Sequence, residues 1–180
     1  VYILYYMKIG IIGSGGREHA LCISLKKSTK VKEIYCFPGN AGTSKIAKNI
    51  ELDLNDFELL KNFITKNNIN IIIVGPEKPL VDGIVDFLDK NKIKVFGPNQ
   101  LASKLEGSKI FTKKLCLKHQ IPTPGFGVYS DIKSSLEFLN QSKYPLVIKA
   151  DGLAAGKGVY ICETKEQSKT AVYEIFNGKF

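Results

Sequence analysis

Two glycine-rich runs, far apart in the chain, pair backbone N–H groups with basic side chains, and that combination holds phosphate. The first is Gly13-Ser14-Gly15-Gly16-Arg17-Glu18-His19, after the run Ile9 to Ile12. The second is Asp151-Gly152-Leu153-Ala154-Ala155-Gly156-Lys157-Gly158-Val159, after Pro145-Leu146-Val147-Ile148-Lys149. A strand that ends in a glycine turn exposes N–H groups, and a helix start adds the positive end of a dipole. Arg17 is the only arginine in the chain. A guanidinium grips phosphate in a planar, bidentate way that lysine cannot. His19 reads equally as a ligand contact or as a capping side chain. Two different loops of this kind imply two phosphorylated ligands on one chain.

Neither loop completes a standard motif. The G-x-G-x-x-G frame puts Glu18 where a third glycine allows close helix packing, and Phe37-Pro38 supplies no acid for a ribose. A dinucleotide-dependent oxidoreductase therefore lacks a key part. In the second loop, Gly152 to Gly156 is one residue too short for a Walker A motif, and Gly158 stands where Ser or Thr is required. Lys149, on the preceding strand, can still reach the same phosphates as Lys157. Charge neutralisation of this kind dominates catalysis of phosphoryl transfer.

The elements that position these loops follow from the hydrophobic pattern. Apolar runs predict strands at 8–12, 33–37, 70–74 and 94–96, alternating with helices at 17–27, 53–66 and 80–90. In the first helix, Ala20, Leu21, Ile23 and Leu25 are expected to face inward. Such alternation predicts an α/β fold with a doubly wound parallel sheet. Its ligands bind beyond the carboxyl ends of the strands. Three loops arrive there: Gly13–Gly16, the Pro38–Gly42 loop with Asn40, and Gly75-Pro76-Glu77. Glu77 follows a fully apolar strand, so its carboxylate is offered at the rim to sugar hydroxyls or else serves as a solvated helix-start acid.

Beyond residues 105–110 the pattern changes to a smaller α+β lobe. Helices are expected at 108–119, 132–140 and 165–176, and strands at 126–129, 146–150 and 159–162. The division adopted is 7–107 and 108–180, with 1–6 as an upstream extension before Met7.

Bulk composition excludes several classes. Hydrophobic residues make up 44% of the chain and mean hydropathy is −0.04, which describes a globular protein. Net charge is +9, but the lysines are scattered and no aromatic–basic nucleic-acid module appears, so no nucleic-acid partner is expected. Cys22, Cys36, Cys116 and Cys162 form no C-x-x-C pair and read as buried reduced thiols, implying a reducing, cytoplasmic setting. No apolar run is long enough to span a bilayer, and the first six residues make a poor signal peptide.

The ordered set of motifs resembles one family. Gly13 to Ala20, Pro38-Gly39-Asn40-Ala41-Gly42-Thr43, Val74-Gly75-Pro76-Glu77, Leu105-Glu106-Gly107-Ser108-Lys109 and Ile148 to Val159 occur in the order seen in phosphoribosylamine–glycine ligases. These belong to the ATP-grasp superfamily. The resemblance runs from Met7 to Phe180. It implies ATP as cosubstrate and glycine and 5-phosphoribosylamine as partners, joined through an acyl phosphate to give glycinamide ribonucleotide, ADP and phosphate. It further implies that Gly13, Gly15, Gly16, Arg17, Glu18, His19, Asn40, Gly75, Pro76 and Glu77 serve phosphoribosylamine. Lys109, Lys149, Asp151, Gly152, Gly156, Lys157 and Gly158 would serve ATP, with loop 152–158 as a lid. The first domain would be a pre-ATP-grasp domain and the second a partial ATP-grasp lobe. Ligands for Mg2+ or Mn2+ are expected beyond Phe180; Glu163 and Glu166 lie on the wrong side of the lid strand to replace them. The chain alone is expected to be inactive, and the complete protein to be a monomer unless it is split between two chains. The competing expectation is a phosphosugar-binding module without activity.

Overall fold

The computed structural model describes residues 6–154 and 156–179. Most of the expected 1–6 extension, Ala155 of the second glycine run and Phe180 lie outside the described residues. The chain divides into two compact units, 1–104 and 105–180.

The first unit is built on a parallel sheet. Its strands are β1 (Met7–Gly13), β2 (Val31–Pro38), β3 (Lys48–Asn49), β4 (Ile71–Val74) and β5 (Val95–Phe96), in the order β3-β2-β1-β4-β5. Period-2 alternation explains why both faces are covered. Ile9, Ile11, Ile34 and Cys36 point to one side, where Cys22 of α1 (Gly16–Lys26) meets them. Ile12, Tyr35, Phe37, Ile72 and Val74 point to the other. There they meet α2 (Phe57–Lys66), α3 (Glu77–Val81) and α4 (Ile84–Lys90). Gly10 sits mid-strand because a Cβ there would lie 2.5 Å from Ile72 Cδ1.

Three helix expectations need correction. In α1, Ala20 and Ile23 are exposed, while Glu18 and Cys22 are buried and Leu25 is partly so. The inward stripe is therefore i, i+4, i+7 starting from a carboxylate. Residues 53–56 are not helical: the Asp56 side chain accepts from the N–H groups of Glu58 and Leu59, and so caps α2 at Phe57. The single helix expected at 80–90 is two, because Gly83 adopts a left-handed φ of +92° between them.

The second unit begins within α5 (Gln100–Gly107), which the sequence reading did not foresee. It continues with α6 (Lys109–Lys118), α7 (Ile132–Gln141), strands β6 (Leu146–Lys149) and β7 (Val159–Cys162), and α8 (Lys165–Phe176). The strand expected at 126–129 is absent. Among the described residues, Phe126 to Tyr129 have no partner strand to pair with, and just before them the Lys113 ammonium binds the Pro124 carbonyl at 3.0 Å. β6 and β7 pair antiparallel, with Val147 opposite Ile161 and Lys149 opposite Val159. These four side chains share one exposed face, while Cys162, Ala171 and Val172 are buried. A Thr164–Gln167 capping box starts α8.

Candidate functional site

In the first unit, strand order reverses at β1. β2 lies to one side of it and β4 to the other, so the loops after β1 and β4 diverge and leave a crevice. A cleft of about 420 Å³ opens there, lined by Gly13, Ser14, Gly15, Arg17, Glu18 and Pro38 on one side. Leu54, Asn55, Pro76, Lys78, Pro79 and Asp82 complete it. Arg17 spans the mouth, its Nη2 donating to Glu77 Oε1 at 3.0 Å. Lys78 likewise pairs with Asp82 at 2.6 Å. The hydrogen bond that Arg17 donates to Glu77 raises the Arg17 pKa further. Its own backbone N–H, and then Arg17, hold the Glu77 carboxyl below the usual range.

Glu18 is the least expected member. It lines the cleft yet is only 3% exposed. Its Oε2 accepts from the Gly15 N–H at 2.6 Å. Its Oε1 lies 3.6 Å from Arg17 Nε and, among the described residues, has no hydrogen-bond partner. Glycines surround this carboxylate. A Cβ on Gly75 would fall 2.0 Å from Oε1, one on Gly13 2.7 Å from Cδ, and one on Gly15 2.8 Å from Oε2. Gly13, Gly15 and Gly75 thus have a packing reason independent of any phosphate.

Asn40 and His19 also turn toward the protein. The Asn40 amide donates to the carbonyls of Ser14 and Gly15 at 2.8 and 3.2 Å, and its oxygen accepts from Gly42 and Thr43. It ties the β2 loop to the β1 loop. The His19 ring lies against Gly42, where a Cβ would come within 2.5 Å of Cε1. Gly16 faces open space, and Pro76 is the N-cap of α3 on the cleft wall. Lys78, Asp82, Leu54 and Asn55 were missed. An i,i+4 lysine–aspartate pair directly after Glu77 was the available signal.

In the second unit, Asp151 and Ser108 anchor the second glycine run. Ser108 caps α6, accepting from the Phe111 N–H at 3.1 Å. The Asp151 carboxylate accepts from the Ser108 hydroxyl at 3.0 Å and the Ile110 N–H at 3.2 Å. Burial pushes the Asp151 carboxyl up. The Ile110 N–H, the Ser108 hydroxyl and two further N–H groups outweigh burial and hold it below the usual range. Lys109 Nζ donates to the Gly152 carbonyl at 2.9 Å. Gly152, Gly156 and Gly158 all have left-handed φ values, +94°, +78° and +71°. Lys149 and Lys157 are exposed. Among the described residues, no group of three or more His, Cys, Asp or Glu side chains is arranged to hold a metal ion.

Fold and motifs together define an ATP-grasp class of chain. The signature described as phosphoribosylglycinamide synthetase, N domain, matches residues 7–106, and that of its ATP-grasp (A) domain matches residues 107–180. The chain belongs to the phosphoribosylglycinamide synthetase family. It is 50% identical over 177 residues to the phosphoribosylamine–glycine ligase of Clostridium acetobutylicum, covering 96% of this chain and 42% of that protein. To that of Mesorhizobium japonicum it is 43% identical over 174 residues, covering 97% and 41%. The crystal structure of the Thermotoga maritima ligase matches with TM-score 0.71 and 33% identity, over 91% of this chain and 38% of that one. The biotin carboxylase domain of a Hydrogenobacter thermophilus 2-oxoglutarate carboxylase gives TM-score 0.74 at 20% identity, over 96% and 41%. At that identity the likeness concerns the fold alone. The chain spans about two fifths of the length of the curated relatives it matches. Among the described residues, no helix is long and apolar enough to cross a membrane.

Proposed function

We propose that the chain carries the sugar-substrate cleft and the nucleotide-phosphate loop of a cytoplasmic phosphoribosylamine–glycine ligase. ATP would phosphorylate the glycine carboxylate. The amine of 5-phosphoribosylamine would then displace phosphate from the acyl phosphate, leaving glycinamide ribonucleotide and ADP. The observation that carries this reading is the Arg17–Glu77 pair over a cleft at the strand-order reversal. It sets one hydrogen-bond acceptor and one guanidinium where a ribosyl ligand enters. Glu77 accepts ribose hydroxyls, and Pro76 and the loop glycines form the wall. Arg17 faces the phosphorylated end. Glu18, Asn40 and His19 hold these loops in place.

Lys149, on the exposed face of β6, and Lys157 supply positive charge for ATP phosphates. Lys109 and Asp151 fix the base of the loop that covers them, and Gly152, Gly156 and Gly158 let it fold over. Mg2+ or Mn2+ would neutralise the transferring phosphoryl group. Among the described residues, no group of three or more His, Cys, Asp or Glu side chains is arranged to hold such an ion.

Calorimetric titration of the chain with glycinamide ribonucleotide, ATP and NADH tests the reading. Glycinamide ribonucleotide should bind, Glu77→Ala should abolish that binding, and NADH should not bind. Saturable NADH binding lost on Glu77→Ala would return the cleft to the dinucleotide class.

A further inference from the structure

Glu18 Oε1 is buried, carries no hydrogen bond among the described residues and is walled by Gly75. Leaving such an acceptor unmade is costly, and a native structure keeps one for a reason. Arg17 stands between two carboxylates. Its Nη2 donates to the half-exposed Glu77 at 3.0 Å, while its Nε stops 3.6 Å short of Glu18 Oε1. The arginine side chain is 60% exposed, so it is free to shift. The exposed pair is the weaker of the two arrangements, because solvent screens it. A charge-assisted bond to the buried carboxylate is not screened in that way.

We propose that Glu18 is a positioning residue with a waiting acceptor: when ligand hydroxyls take the Glu77 carboxylate, Arg17 closes onto Glu18 Oε1. This rests on the reading above that Glu77 accepts ligand hydroxyls. The exchange keeps the hydrogen-bond count on Glu77, satisfies the orphaned oxygen and releases Nη2 toward the ligand. Binding then joins the β1 and β4 loops through the ligand, held by the Arg17 Nη2 on one side and the Glu77 carboxylate on the other. The preference for arginine follows, because the donors of lysine all radiate from one nitrogen, whereas the planar guanidinium presents Nε and Nη2 to two separated groups in a fixed geometry.

Because Arg17 is the only arginine, the chain has a single arginine Nε–H resonance, readable by 15N NMR without assignment. Three samples decide. In ligand-free Glu77→Ala, the first carboxylate is gone, so the Nε–H signal should move downfield and exchange more slowly than in the native chain. Adding Glu18→Gln to that variant should return it to the position of a solvent-exposed arginine. In the native chain, saturating glycinamide ribonucleotide should produce the same downfield move, and Glu18→Gln alone should weaken that ligand about tenfold. An Nε–H signal unmoved in Glu77→Ala overturns the proposal and leaves the functional reading standing. A native chain that binds no glycinamide ribonucleotide overturns both.

Discussion

The two units hold their candidate residues in opposite ways. In the first, Glu18, Asn40 and His19 are fastened to glycines and loop carbonyls, and even the exposed Arg17 is paired. In the second, Lys149 and Lys157 are exposed, and the face of β6 and β7 that carries Lys149 also exposes Val147, Val159 and Ile161. The first site is organised before any ligand arrives. The second has a fixed base, at Ser108 and Asp151, and an open upper surface. Preorganised groups lose little freedom on binding, whereas an open loop must be ordered by its ligand. The difference should appear as large mutational effects on stability in the first unit and small ones in the second.

The strongest way to break the comparison is Gly75→Ala. The new Cβ meets the Glu18 carboxylate at 2.0 Å from Oε1 with no room to retreat. We expect a loss of about 3 kcal/mol in urea unfolding, at the upper end of overpacking costs. If Gly75→Ala unfolds at the native midpoint, the glycine cradle is not rigid.

Next in size is Asn40→Ala. Removing its four hydrogen bonds, two donated and two accepted, should cost about 2 kcal/mol in the same measurement. A cost below about 0.5 kcal/mol would class Asn40 with ordinary surface residues.

Gly152→Ala gives the matching figure for the second unit. Among the described residues nothing lies within 4 Å of the added Cβ, and the φ of +94° opposes it. About 1 kcal/mol is expected. Hydrogen exchange sharpens the point. The amides of Ile71 to Val74 should be protected to near the global limit, and those of residues 152–154 and 156 should exchange far sooner. Equal protection would erase the contrast.

The smallest effect concerns pH. Asp151 is held below its ordinary value of 3.8. A carboxyl lowered in the folded state adds stability that is present above the unfolded value and is lost as pH falls through the folded one. Asp151→Asn should therefore leave a flatter acid limb below about pH 4. Its melting temperature should converge on that of the native chain at the acid end. Parallel curves from pH 6 to about pH 2 would show that the carboxylate contributes nothing through its charge.

Much of this was legible in the sequence, for definable reasons. Ile9–Ile12, Ile34–Phe37 and Ile71–Val74 are covered on both faces, so their apolar runs gave strands and a parallel sheet directly. β3 is two residues long and exposed, too short to leave a pattern. The stretch 126–129 has β-forming residues but no partner strand, and propensity cannot supply one. The burial of Glu18 was not foreseen, because an acid beside a glycine loop at a helix start ordinarily faces solvent. Helical arithmetic puts it on the stripe of Cys22 and Leu25, and the cradling glycines come from loops distant in sequence. The glycines themselves were legible as a set. Their role in admitting a carboxylate was not, because that depends on which side chain lies opposite.

The cysteines have a practical consequence. Cys22 and Cys36 lie with their sulfurs 3.3 Å apart in the core between α1 and β2, and burial pushes the Cys36 thiol up to about 12. Cys162 is buried as well, whereas Cys116 on α6 is only partly so, which corrects the expectation of four buried thiols. A maleimide offered to the native chain should thus attach at Cys116 and leave the other three untouched. That gives the natural sequence a single-site handle on its second unit. The slow later labelling of Cys22 and Cys36 becomes a clock for opening of the first unit, read by mass spectrometry without introducing any substitution.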